Sequence, residues 1–433
     1  MTDRLRTDLA DFTAAQLAHA YRHGWTSPVE ALEAVLKRVD AWEPRLAALW
    51  ALDVEGARAA AKASTARWRA GEPLSDLDGA PCTIKENIAT KGTPVPVGTA
   101  ATDLKPAAQD APPAARLREA GAVIFAKTTM PDYGMLSSGL SSFHKLARNP
   151  WNTAMNPGGS SAGAGVAAAA GYGPLHVGTD IGGSVRLPAG WCGVVGLKPS
   201  LGRIPIDPPF PGRVAGPMTR TTDDAAAMMA VLSQPDARDG MSLPSAELDW
   251  RVAPARTKGL RVGLWLDAGW GLPLDAEVRA AVEACAKALA GEGADIFEVK
   301  PFVTRAMMDG LDRFWRTRAA CDMAKLPPER RAKVLPFIRD WAAPGASYTG
   351  AEVYEGYAQM HAMRDATLRA TAPFDLVLSP VAPIVGFSAE AAGPTGDPNT
   401  SLDHIGFTVG YNMSEQPAIS VNWGYAANGM PIG

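Results

Sequence analysis

The chain has 433 residues, 47% hydrophobic and 20% charged, with a net charge of −3 at neutral pH, a balance that excludes a disordered chain. A mean hydropathy of −0.05 and the lack of any apolar run of about 18 residues exclude a helical membrane span. No basic stripe is present, so no nucleic-acid-binding face is expected.

The opening Met1-Thr2-Asp3-Arg4-Leu5-Arg6 is charged and lacks the apolar stretch of a secretory signal, so a cytoplasmic location is expected. Thr13 can cap a helix that stops at Gly24, and Ser27-Pro28-Val29-Glu30 reads as a capping box with proline at the first helical position. Val29, Leu32, Val35, Leu36 and Val39 then share one face, and residues 51–70, rich in Ala and charge, form a further helix. From about residue 74 the texture changes to short apolar runs broken by Gly and Pro. Ala114 to Ala120 reads as a helix, followed past Gly121 by a buried strand at 122–126. The Pro-rich stretch 205–217 reads as a loop, and the polar stretch 233–258 as a weak boundary. Strand 259–266, helix 275–290 (capped by Asp275, ended by Gly291) and strand 294–299 form a β-α-β unit, with a further strand at 374–380. Such units imply parallel pairing with helices on the sheet faces, an α/β fold. The four cysteines, Cys82, Cys192, Cys285 and Cys321, are far apart and without CxxC, the pattern of thiols. Six scattered histidines without HExxH give no zinc site, and no metal or cofactor is expected.

Three segments carry candidate chemistry. Lys85 closes the apolar run Pro81-Cys82-Thr83-Ile84. Asn156-Pro157-Gly158-Gly159-Ser160-Ser161-Ala162-Gly163 leads into an alanine run, and Gly178-Thr179-Asp180-Ile181-Gly182-Gly183-Ser184-Val185-Arg186 follows. Gly159 to Gly163 also fits the G-x-S-x-G nucleophile elbow, and Gly163 to Ala168 the dinucleotide fingerprint. Both need a strand just before them, and 149–157, with two prolines and three asparagines, is a poor strand. In the remaining catalytic reading, the backbone N–H groups at 181–184 converge on a developing oxyanion. Ser184 is then a nucleophile in need of a base. Lys85 is a candidate base because burial pushes a lysine toward its neutral form. The paired serines at 160 and 161 can carry a proton between the two. Residue types alone leave a plainer reading open, in which Lys85 ends a strand at the surface and the Gly/Ser runs are turns.

These residues resemble the amidase signature family. The likeness runs through Gly158 to Ser161 and Gly178 to Arg186, then Cys192 to Pro199, Gly202 to Pro205, Gly216 to Arg220, Asp375 to Pro380 and Gln416 to Val421. It is most like the bacterial aryl acylamidase and urethanase-type members. The resemblance implies a fold with one large twisted mixed β-sheet covered by helices on both faces. It implies a single domain over 1–433, with a helical layer at 1–70, the signature core at 74–232 and a second α/β part at 233–433 whose end looks truncated. It implies Ser184 as nucleophile, Ser160 as bridging serine after a cis peptide bond, and Lys85 as base. It further implies an oxyanion loop of Ile181, Gly182, Gly183 and Ser184, supported by Ser161, Thr179, Asp180 and Arg186. Met130, Gly134 and Phe210 are candidate pocket residues. Thr129, Asp132, Ala162 and Asn422-Trp423 depart from common family residues, which puts borrowed substrate contacts there in doubt.

The expected activity is hydrolysis of a small hydrophobic amide, anilide or carbamate, with esters as further substrates, through a Ser184 acyl-enzyme. Phe210 and its apolar neighbours in the Pro-rich loop, a candidate rim or gate of the pocket, motivate the hydrophobic substrate. The expected partners are that small molecule alone, with no nucleic acid or membrane, and a monomer or homodimer. The alternative is the glutaminase A subunit of a tRNA-dependent amidotransferase.

Overall fold

A computed structural model describes residues 8–253 and 256–433. The charged opening segment and part of the expected boundary at 233–258 therefore lie outside the described residues.

Helix α1 (Ala14–Arg22) starts at a capping box between Thr13 and Gln16, and α2 (Pro28–Leu46) at Ser27, whose hydroxyl accepts from the Glu30 N–H. The second box is incomplete, because the Glu30 carboxylate takes the Thr26 and Ser27 hydroxyls instead of a backbone N–H. Strand β1 (Leu49–Trp50) and helix α3 (Val54–Ala70) follow. The core then alternates β2 (Pro81–Lys85), α4 (Pro112–Glu119), β3 (Val123–Thr128), α5 (Ala162–Ala169), β4 (Leu175–Asp180), α6 (Arg186–Cys192), β5 (Val195–Lys198), β6 (Val214–Thr219) and α7 (Thr222–Leu232). The β-α-β unit is β7 (Arg261–Leu264), α8 (Ala276–Gly291) and β8 (Asp295–Glu298). Helices α9 (Arg305–Ala324), α10 (Pro328–Arg331), α11 (Pro336–Ala342) and α12 (Gly350–Thr371) lead to β9 (Leu376–Leu378). Helix α13 (Val409–Met413) precedes β10 (Ala418–Ser420) and the hairpin of β11 (Gly424–Tyr425) and β12 (Pro431–Ile432).

Among the described residues, seven strands form a mixed sheet in the order β1-β3-β2-β4-β6-β5-β10. Strands β3, β2 and β4 are parallel, and the remaining pairs are antiparallel. Strand periodicity sorts the side chains between the two faces. Cys82, Ile84, Leu175 and Val177 pack with α4 and α7. Thr83 and Lys85 therefore point to the opposite face, where α5 and α6 pack with Val123 and Phe125. Helices α9, α11 and α12 build a third apolar cluster around Trp315, Ile338 and Met363.

The large mixed sheet is as expected, and one expectation needs correction. Residues 214–217 belong to β6, not to a loop. Pro217 lies opposite Val177 and is accommodated because β5 pairs with β6 only at Met218 and Thr219. Strands β8-β7-β9 also form a separate parallel sheet. A cleft of about 470 Å³, lined by Leu376 to Pro380 and Pro417 to Val421, separates its β9 edge from β10.

Candidate active site

Parallel strands end on the same side of a sheet, where α/β folds place their ligand sites. Lys85 is the last residue of β2 and Asp180 the last of β4, so their side chains emerge close together. Helix α5 begins immediately after Ser161 and is built only of Gly, Ala and Val. That composition is steric. A Cβ at Gly163 would collide with the Ala48 carbonyl, and one at Gly165 would lie 3.1 Å from the Pro188 side chain. The resulting close approach brings the Gly159-Ser160-Ser161 turn, with its cis Gly159–Ser160 bond, against Lys85.

Lys85 is wholly buried. Its Nζ lies 2.8 Å from Ser160 Oγ, 3.0 Å from Ser161 Oγ and 2.9 Å from Thr179 Oγ1. Asn87 Nδ2 donates to the same Thr179 hydroxyl at 3.1 Å. Ser161 also donates to the Thr179 carbonyl at 3.1 Å and accepts from the Thr179 N–H at 3.2 Å, tying α5 to β4. The plain alternative of a surface lysine at a strand end is thereby excluded. Burial lowers the Lys85 pKa from 10.5 to about 7, against the opposing pull of Asp180 and Glu86 and with a smaller push from Arg213. A neutral amine is therefore available near neutral pH.

Asp180 braces the loop that carries Ser184. Its carboxylate accepts from the Gly183 N–H at 2.8 Å, the Val185 N–H at 3.1 Å and two nitrogens of Arg186 at 3.0 Å. Although burial alone would raise its pKa, Arg186 and Asn412 hold the buried carboxyl far below the usual carboxylate range. Ser184 is partly exposed, and its carbonyl accepts from the Ser161 N–H at 3.1 Å, which sets it beside the paired serines. One expectation changes here. The Gly183 N–H, one of the expected oxyanion donors, is committed to Asp180.

Of the pocket candidates, Gly134 lies against the relay: a Cβ there would sit 3.2 Å from Ser160 Oγ and 3.2 Å from Met130 Cε. Met130 is fully buried behind it, and Phe210 lies beneath the guanidinium of Arg318. Asp132 is not poised toward a substrate; it accepts from Ser142 N and Oγ at 2.7 Å and from Leu335 N at 3.0 Å. Thr129 donates to the Ala47 carbonyl at 3.3 Å, and Ala162 is buried at the head of α5. Trp423 lines the cleft between the two sheets instead of a rim of this site.

Sequence reasoning missed the support that distant segments give the loop. Thr408 donates to the Gly182 carbonyl at 2.6 Å, and Asn412 donates to Asp180 at 2.9 Å while accepting from Arg186 at 2.7 Å. Trp315 and Ile405 face Gly182, where a Cβ would lie 3.2 Å from the indole and 3.3 Å from Ile405. These residues stand more than 120 positions from the loop they hold, and no local spacing marks them.

A mixed sheet with a lysine and a Ser-Ser turn under a glycine-rich loop defines an amidohydrolase of the signature type. The amidase family model matches residues 30–433, so the chain belongs to the amidase signature family, enzymes that hydrolyse carbon–nitrogen bonds. It is similar to solved structures of a bacterial aryl acylamidase, at 26% identity and TM-score 0.85 over 98% of this chain and 91% of that one. It is also similar to 6-aminohexanoate cyclic dimer hydrolase, at 27% identity and TM-score 0.83 over 99% and 93%. Curated relatives include the A subunit of the glutamyl-tRNA(Gln) amidotransferase of Solidesulfovibrio magneticus, 34% identical over 94% of this chain and 89% of the relative. Its counterpart in Halorhodospira halophila is 32% identical over 97% and 92%.

These near-full-length relatives overturn the expectation of a stand-alone hydrolase for hydrophobic amides, anilides or carbamates. The expected partner set, a small molecule alone with a monomer or homodimer and no nucleic acid, is overturned with it. The hydrophobic reading rested on Phe210 and its apolar neighbours, and the Phe210 ring lies under the guanidinium of Arg318. Among the described residues no helix is long and apolar enough to cross a membrane.

Proposed function

We propose that the chain is the amide-hydrolysing component of an amidotransferase assembly and that it releases ammonia from the side-chain amide of glutamine. The substrate assignment is carried by one observation, the match at 31–34% identity over nearly the whole chain to eight curated A subunits.

The chemistry is supported by the contact of buried Lys85 with Ser160. Neutral Lys85 accepts the Ser160 proton as Ser160 accepts that of Ser184. The Ser184 oxygen attacks the amide carbon, and the N–H groups of Ile181, Gly182 and Ser184 stabilise the oxyanion. One such donor contributes about 3–4 kcal/mol in other hydrolases. Collapse breaks the carbon–nitrogen bond, and the proton returns through Ser160 to ammonia. Water then enters, gives its proton to the same relay, and releases glutamate from the acyl-enzyme.

The test is ammonia and glutamate release from glutamine by the chain alone and co-expressed with its genomic neighbours, beside Ser184→Ala. Release that needs Ser184 is expected, together with capture of the acyl group by hydroxylamine. Absence of glutamine turnover in both preparations overturns the proposal.

A further inference from the structure

Among the described residues, two arginines near the Ser184 loop, Arg213 and Arg318, form no ion pair. Arg213 immediately precedes Val214, the residue paired with Asp180 at the end of β4, so its backbone adjoins the start of the Ser184 loop. It is close enough to lower the pKa of Lys85 by its charge. Arg318 lies one helical turn beyond Trp315 on α9, and Trp315 rests on Gly182 of the same loop. Residues three apart on a helix share a face. Both guanidinium groups reach the 208–210 segment, Arg213 at the Pro208 carbonyl and Arg318 over the Phe210 ring.

Their partners are weak. Arg318 stands 4.6 Å over the Phe210 ring and offers Nη2 to Met135 Sδ at 3.7 Å. Arg213 donates to the Pro208 carbonyl. Neither forms an ion pair with a described residue, whereas Arg305 and Arg316 on the same helix pair with Asp309 and Asp312 at 2.7 and 2.6 Å. The carboxylates in range are occupied: Asp322 pairs with Lys325, and Asp239 accepts from Ile206 and Met241. Asp207 adds only a distant pull on Arg213. Burial depresses both guanidinium pKa values, and Arg318 depresses that of Arg213 further, to about 10. Two partly desolvated like charges without a carboxylate repel one another, and an anion between them removes that cost.

We infer that Arg213 and Arg318 form an anion clamp that holds the carboxylate of the substrate while its amide lies at Ser184. The inference rests on amide hydrolysis at Ser184 and narrows the substrate class to amides bearing a carboxylate. The planar fork of arginine suits bidentate capture of such a group. Phe210 and Met135 then serve as the resting place of Arg318 when no anion is bound.

The experiment compares kcat/KM for four amides: glutamine, glutaric acid monoamide, 4-aminobutanamide (glutamine without its carboxylate) and butyramide. The enzyme prefers the two carboxylate-bearing amides. In Arg318→Gln and Arg213→Gln that preference collapses toward unity, mainly through a KM increase of about 30-fold, the size expected for lost charge-assisted hydrogen bonds. Arg318→Lys retains part of it. Binding of glutaric acid monoamide to Ser184→Ala, followed by calorimetry, weakens in parallel in the double variants. The clamp is overturned if wild-type enzyme shows no carboxylate preference, or if the preference survives both Gln variants. If glutaric acid monoamide is cleaved in an Arg318-dependent way while glutamine is not, the clamp stands and the glutamine assignment fails.

Discussion

Lys85 is where local chemistry is decided. Its amine is wholly buried and its three hydroxyl neighbours all lie within 3.0 Å. With the pKa lowered to about 7, the protonated fraction grows as the medium becomes more acid, and a protonated amine cannot accept the Ser160 proton. The kcat/KM profile for amide hydrolysis is therefore expected to show an acid limb with an apparent pKa near 7, measured by ammonia release between pH 5 and 9. Lys85→Met should lower turnover by at least about a thousandfold, in the range of triad removals. The same variant should unfold no earlier than wild type in a thermal scan, because it removes a group whose charged form is costly to bury. A melting point well below wild type would show that the lysine is structural. That the Lys85, Ser160 and Ser184 segments meet was legible in the sequence, since their residue types and spacing resemble one family. The engagement of Gly183 by Asp180 was not, because a hydrogen-bond direction follows from loop curvature and not from composition.

At the scale of elements, the site is a contact between strand ends and the start of a helix. The alanines of α5 were legible as close packing, and the structure gives the reason: the backbone at Ala48 and Thr129, beside β1 and β3, and Pro188 of α6 leave no room for side chains at Gly163 and Gly165. The loop 181–184 is held from outside by α13 and its approach, through Thr408 and Asn412. Thr408→Val leaves the Gly182 carbonyl without its donor, a loss of about 1–3 kcal/mol when the group is buried. It is expected to lower kcat at least tenfold with little change in KM, because the oxyanion donors shift while the rest of the pocket persists. Gly182→Ala should be equally damaging, since its Cβ meets Trp315 and Ile405. Part of that loss should return in a double variant with Trp315→Phe, read by steady-state kinetics. Full activity in Gly182→Ala would show that the loop tolerates displacement.

For the whole molecule, three buried lysines make stability depend on pH. Burial lowers the pKa values of Lys85, Lys127 and Lys198 from 10.5 to about 7. Between these limits the unfolded chain binds more protons than the folded one, so stability rises with pH across that window. The urea midpoint is expected to increase from pH 7 to pH 9 and to be lowest on the acid side of 7. Lys85→Met should flatten that slope by roughly a third if the three lysines contribute alike. A midpoint that falls over this range would refute the assignment of neutral lysines.

The sequence by itself determined the elements whose signals are local. Helix caps at Thr13 and Ser27, the β-α-β unit at 261–298 and the three segments that meet at the site are written in spacing and residue type. Tertiary structure alone decided that the Gly183 N–H is engaged, that Pro217 lies inside β6, and that Thr408, Asn412 and Trp315 surround one loop while Arg213 and Arg318 meet at 208–210. The physical reason is separation. A cap or a strand is set by neighbours a few residues apart, whereas burial, charge pairing and the freedom of an N–H depend on groups that meet only when the sheet and its covering helices close around them.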